Sequence, residues 1–154
     1  MKSPFLAAFA LACAVATCTP VVAAVDKPET PKSMAGGKVI GVAEAKTLAV
    51  ARGAVFIDTR SAVNYGKGRV PGAITAAYKE KSDQVENFDG SKDEFDFSKL
   101  PADKNARVVI YSDGPTGWKS YKAAVLAVKA GYRNVSYMRG GMTEWEAAGN
   151  PVER

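Results

Sequence analysis

The chain has 154 residues, 47% of them apolar and 24% charged, with a formal net charge of +5. That is one domain's worth of sequence with the composition of a folded protein, enough for one sizeable core and too little for two. There is no histidine, and the only cysteines are Cys13 and Cys18, which excludes His-dependent triads, His-ligated zinc and cysteine-cluster metal sites. No run of Lys and Arg accompanies the mild positive charge, so nucleic acid is not an expected partner, and neither a metal nor another cofactor is expected.

Residues 1–24 have the layout of a secretory signal. Lys2 is the one charge, an apolar run from Phe5 to Ala16 follows, and Val22-Ala23-Ala24 supplies the small or compact residues a leader peptidase requires. The run is too short for a stable membrane span. The residues before Cys13 and Cys18 fit a lipoprotein site poorly. The expectation is therefore export, to a bacterial periplasm, with cleavage near Ala24. Cleavage there removes both cysteines, so the mature chain has no thiol and no disulfide, and its net charge falls to +4 with the loss of Lys2.

Residues 25–37 are rich in Pro, Gly and charge without apolar periodicity and read as a flexible lead-in to a domain over 38–154. Lys38 to Gly41 begins a short strand, and Val42 to Arg52 carries Ala, Leu and Val at helical spacing. Ala54 to Asp58 is a short apolar run that suits a buried strand. Pro71-Gly72 marks a turn, and Ala73 to Tyr78 reads as a further strand. Glu80 to Asp96, with seven acidic residues and two lysines, reads as a solvated excursion. Arg107 to Tyr111 is the strongest strand signal in the chain. A loop over 112–117 leads into a helix from Trp118 to Ala130, which Gly131 stops. Asn134 to Met138 reads as a last strand, and Gly140-Gly141 introduces a short helix. Strands alternating with helices predict an α/β fold, a mostly parallel sheet of about five strands with helices on both faces.

In such sheets ligands bind beyond the carboxyl ends of the strands. Two segments belong at that edge: Asp58-Thr59-Arg60 and the loop from Ser112 to Ser120. A buried strand that runs through a loop of two glycines and a proline into a helix turns backbone amides into one concavity, which favours an anion. Ser112, Asp113, Gly114, Thr116, Gly117, Trp118, Lys119 and Ser120 are the candidate ligand-binding residues, with Asp58 and Arg60 in support. The plainer reading of the loop is an ordinary strand-to-helix turn with a capping hydroxyl. Asp58 with Arg60 reads best as a structural ion pair, and Trp118 and Trp145 as core or rim aromatics.

Asp58-Thr-Arg60 followed by Gly68-Arg-Val-Pro-Gly-Ala-Ile74 resembles the front half of a rhodanese domain, with Arg69 where that family usually has histidine. Val108 to Tyr111, the loop, Lys119-Ser120 and Ala123-Ala124 are similar to its active-site half. Gly131 to Val135, Gly140-Gly141, Trp145 and Ala148 to Val152 resemble its closing signature. The resemblance spans residues 37–153. It implies an α/β fold and transfer of sulfane sulfur through a persulfide on a cysteine at the start of the loop. Residue by residue, Ser112 stands at that cysteine position, Lys119 at the basic position and Ser120 at the following serine. Gly117 stands where some exported relatives carry a second cysteine, and the loop is longer by about two residues than the commonest type.

A hydroxyl cannot replace the sulfur of a persulfide, and serine without an adjacent base is a weak nucleophile. The neighbouring Asp113 is a poor base for an alcohol. No catalytic residue is therefore expected. The sequence favours an inactive homologue whose loop binds a small anion, a sulfur anion among them, or a protein partner. Its rivals are a sulfurtransferase that borrows a thiol from elsewhere and a purely structural module.

Overall fold

The computed structural model describes residues 26–154. The segment over 1–24 expected to be a signal, with Cys13 and Cys18, lies outside the described residues. The elements are β1 (Lys38–Ile40), α1 (Val42–Val50), β2 (Val55–Asp58), α2 (Ala62–Lys67), β3 (Ile74–Thr75), β4 (Arg107–Tyr111), α3 (Trp118–Lys129), β5 (Asn134–Met138) and α4 (Gly141–Ala147). The strands form one sheet in the order β1-β5-β4-β2-β3, with every neighbouring pair parallel. This is the expected α/β architecture.

β4 lies at its centre because its side chains are apolar on both faces, as a strand covered on both sides requires. Val108 and Ile110 join Ile57, Val135 and Tyr137 beneath Tyr121, Ala124 and Ala127 of α3. Val109 and Tyr111 join Phe56, Ile40 and Met138 beneath Val42 and Ala45 of α1 and Met142 and Trp145 of α4. Phe56 and Trp145 meet edge to face at 6.5 Å. At the end of α3, Gly131 has φ +92 and its amide donates to Val128 O, while Tyr132 N reaches Ala127 O at 3.1 Å. This pattern closes a helix on a left-handed glycine. Among the described residues no helix is long and apolar enough to cross a membrane.

Three local expectations need correction. The strand expected over 73–78 is only two residues long, although Ala76 N and Tyr78 N continue to donate to Asp58 O and Thr59 O. Residues 28–34 are not a free lead-in, for Thr30 is 2% exposed and Met34 packs in the core. The acidic 80–96 stretch is anchored as well as solvated. Asp93 accepts from Tyr78 Oη and Ser82 Oγ, both at 2.6 Å, and from the amides of Lys81 and Ser82 at 2.6 and 2.7 Å. The fully buried Lys122 of α3 reaches up to donate to Ser82 O at 2.9 Å and Ser82 Oγ at 2.8 Å, with Glu80 Oε2 3.1 Å away. A buried ammonium needs such partners, since an unpaired one is strongly destabilising.

This cluster makes the excursion sensitive to acid. Burial alone would raise the Asp93 carboxyl, but the hydrogen bonds from Ser82, Tyr78 and Lys81 outweigh it and hold it at about 2. A carboxyl depressed on folding contributes stability that is complete above its unfolded value and disappears as pH falls through the folded one. The thermal midpoint should therefore fall between about pH 4 and pH 2. Asp93→Ala should flatten that fall and cost about 2–3 kcal/mol at neutral pH, measured by urea unfolding.

Candidate functional site

The two expected segments meet at the carboxyl edge of the sheet because β2 and β4 are neighbours, with Asp58 in register with Tyr111. The chain leaves β2 through Thr59, whose amide and hydroxyl both donate to Tyr111 O, at 3.0 and 2.9 Å. Ser112 follows directly and is 2% exposed. Asp58 and Arg60 form a buried ion pair, Nε to Oδ1 at 3.0 Å and Nη2 to Oδ2 at 2.7 Å, and Nη2 also donates to Gly68 O at 2.6 Å. Burial would lower the pKa of this guanidinium, but the Asp58 hydrogen bonds and charge prevail and hold it above its ordinary value. Arg60 is thus a fixed cation committed to its carboxylate. Its Nη1 lies 3.9 Å from Asp113 Oδ1, which draws that exposed carboxylate to the β2 side of the loop.

The loop is shaped by its carbonyls and glycines. Ser112 O and Asp113 O accept from the first amides of α4, Met142 N at 3.0 Å and Thr143 N at 2.8 Å. Gly141 makes this approach possible: its φ is +56, and a Cβ there would lie 2.5 Å from Ser112 O. Gly117 folds back over Ser112, so that a Cβ at 117 would stand 2.8 Å from Gly114 O and 3.0 Å from Ser112 Cβ. The Gly117 amide donates to Gly114 O at 2.8 Å and the Trp118 amide to Thr116 O at 3.1 Å. These two amides are engaged within the loop and do not face outward.

The candidate side chains divide accordingly. Trp118 is buried, its ring edge-on to Tyr121 at 5.6 Å and its Nε1 donating to Pro28 O at 2.7 Å. Ser120 is buried and donates to Gly117 O at 3.0 Å, and Gly114 is buried against α4. These three hold the loop and are not available to a ligand. Thr116 and Asp113 are exposed, and Lys119 is half-buried on the first turn of α3. Among the described residues Lys119 has no ion-pair partner, so the outward donors of the loop are Thr116 and Lys119. Asp113, the carboxylate next in sequence to Ser112, leans towards Arg60.

Sequence reasoning missed the residues that pin the loop from above. Thr30 donates from both its amide and its hydroxyl to Pro115 O at 2.8 Å, and its hydroxyl also meets Tyr137 Oη at 2.8 Å. Arg139, just after β5, donates to Thr30 O at 3.1 Å and pairs with Glu29. Pro28 and Pro31 gave no sign of this order, since a Pro-rich, charged stretch reads as flexible. Its partners lie too far along the chain to leave a local pattern.

The sequence matches the rhodanese-like domain family over residues 42–148. No curated protein matches it. Among solved structures, the BH2092 protein from Bacillus halodurans aligns at TM-score 0.59 and 21% identity, over 75% of this chain and 76% of that one. Thiosulfate sulfurtransferase from Pseudomonas aeruginosa aligns at TM-score 0.55 and 24% identity over 77% of this chain, which spans 20% of that longer protein. RPA3614 from Rhodopseudomonas palustris, described as a protein of unknown function and possible tyrosine phosphatase, aligns at TM-score 0.54 and 22% identity, over 75% and 84% of the two chains. The structural likenesses share the sheet order's fold and no more at these identities. The family match takes in β2, the loop, α3 and the Gly140-Gly141 turn together, and on that ground the chain belongs to the rhodanese-like domain family.

Proposed function

We propose that this chain is an exported rhodanese-family protein that does not transfer sulfur, and that its loop over 112–120 holds a small anion instead. The observation that carries the reading is Ser112. A hydroxyl stands where the family's resemblance places the reactive sulfur, it is 2% exposed, and Gly117 closes over it. Thr116 and Lys119 then supply the outward contacts, at the start of a twelve-residue helix whose N-terminus favours negative charge. Export rests on the signal-like residues 1–24.

Purified protein should show no transfer of sulfur from thiosulfate to cyanide above background. Ser112→Cys alone should restore little, because the new thiol would still lie beneath Gly117. Robust turnover by the unaltered protein would refute the reading. Thiosulfate or sulfate should bind the loop weakly, at about millimolar strength or near 4 kcal/mol. Backbone NMR shifts over residues 112–120 would report it, and Lys119→Ala and added chloride should both weaken it. If no shifts occur at tens of millimolar anion, the loop is only a turn. Intact mass of the protein recovered from a bacterial periplasm should correspond to a chain that begins at Val25.

A further inference from the structure

The opposite edge of the sheet, at the amino ends of the strands, carries a group of basic side chains. A cavity of about 390 Å³ opens there between the ends of β1, β5 and β4 and the face of α1. Lys38, Arg107 and Arg133 line it, together with Glu44 and Leu48 of α1 and Ser136 of β5. Glu44 is the one carboxylate in the lining, and Lys38 already engages it at 2.6 Å. Arg107 and Arg133 flank the same strand pair, for Arg107 is in register with Asn134. Among the described residues neither guanidinium makes an ion pair or a side-chain hydrogen bond. This contrasts with Arg60, Arg69 and Arg139, each committed to a carboxylate.

Ser136 adds an independent observation. It lies in register with Lys38 and with Val109, on the face of the sheet where its neighbours are apolar. It is 8% exposed, and among the described residues its hydroxyl has no hydrogen-bond partner. A core position filled by a hydroxyl that faces a cavity, beside two free guanidinium groups, is an arrangement suited to a ligand rather than to packing. With Lys38 balanced by Glu44, the lining retains two positive charges. Guanidinium groups present planar forks that match the oxygens of phosphate or sulfate.

We propose that this cavity binds a tetrahedral dianion, phosphate or sulfate, held by Arg107 and Arg133 with the Ser136 hydroxyl as a further donor. The volume exceeds that of a bare ion and leaves room beside Leu48 for an organic remainder, so the ion is either free or the head of a monoester. The site is independent of the 112–120 loop, which lies at the other end of the strands.

The test is a backbone NMR titration of the full folded domain with inorganic phosphate, sulfate and glycerol phosphate, against chloride at matched ionic strength. Saturable shifts are expected at Gly37, Lys38, Asn134 and Ser136. Arg107→Gln and Arg133→Gln, both at exposed positions, should each weaken binding about tenfold, and Ser136→Ala by less. Lys119→Ala should leave these shifts unchanged, which separates this site from the loop. Tighter binding of glycerol phosphate supports the site as one for a monoester, and tighter binding of the inorganic ions supports it as one for the free ion. Shifts that match those of chloride, or that survive in the Arg107→Gln/Arg133→Gln double variant, would overturn the proposal.

Discussion

Two backbone carbonyls, those of Ser112 and Asp113, determine what the carboxyl edge of this sheet can do. They accept from the first amides of α4, and that contact requires the left-handed glycine at 141. A helix N-terminus is a ready donor for an anion, but here its amides are spent on the loop itself. The loop then has a fixed floor. Thr30 holds it from above through Pro115 O, and Gly117 closes it over Ser112. Every polar group so engaged is one that a ligand cannot use. The surface that remains is small: a threonine and a lysine at the mouth.

The same sheet shows how charge is sorted in a protein of modest net charge. At the carboxyl edge Arg60 is bound to Asp58, and Arg139 to Glu29; Arg69 is tied to Glu153 near the chain's end. At the amino edge Arg107 and Arg133 stand uncommitted beside one cavity. A cleft whose lining carries a net positive charge raises the local concentration of anions. Two uncommitted guanidinium groups thus lie at the edge opposite the 112–120 loop.

How far the sequence disclosed this depends on the range of the interactions. β4 and β5 were legible because Arg107-Val-Val-Ile-Tyr111 and Asn134-Val-Ser-Tyr-Met138 are short apolar runs with clear ends, and they occur at those limits. The end of α3 was legible because Gly131 marks a left-handed stop. α2 was not foreseen, since its six residues bury none of their side chains and leave no apolar period; only the Ser61 cap, accepting from Asn64 N, signals it. The ordering of residues 28–34 and the anchoring of Asp93 rest on single side chains that meet partners from other elements, on α3 and β5 for the former. Composition pointed the other way in both places, because Pro and acidic residues are read as solvated unless a partner is known. At the loop, the core setting of Trp118 was legible from its aromatic character, whereas Ser120, counted among the donors to a ligand, turns inward to donate to Gly117 O.

The serine at 112 and the closure of the loop over it are consistent with one another in physical terms. A loop that stabilises a thiolate or persulfide must keep amide groups aimed at a point where the protein supplies no acceptor, and buried unpaired donors cost stability until a ligand arrives. A hydroxyl at 112 carries no such requirement. The amides of Gly117 and Trp118 pair with Gly114 O and Thr116 O, so the loop closes on internal hydrogen bonds. Glycine at 117 completes the closure, because any side chain there would collide with Ser112 and Gly114. The fold persists because its core lies in the sheet and helices, which do not depend on the chemistry at their edge.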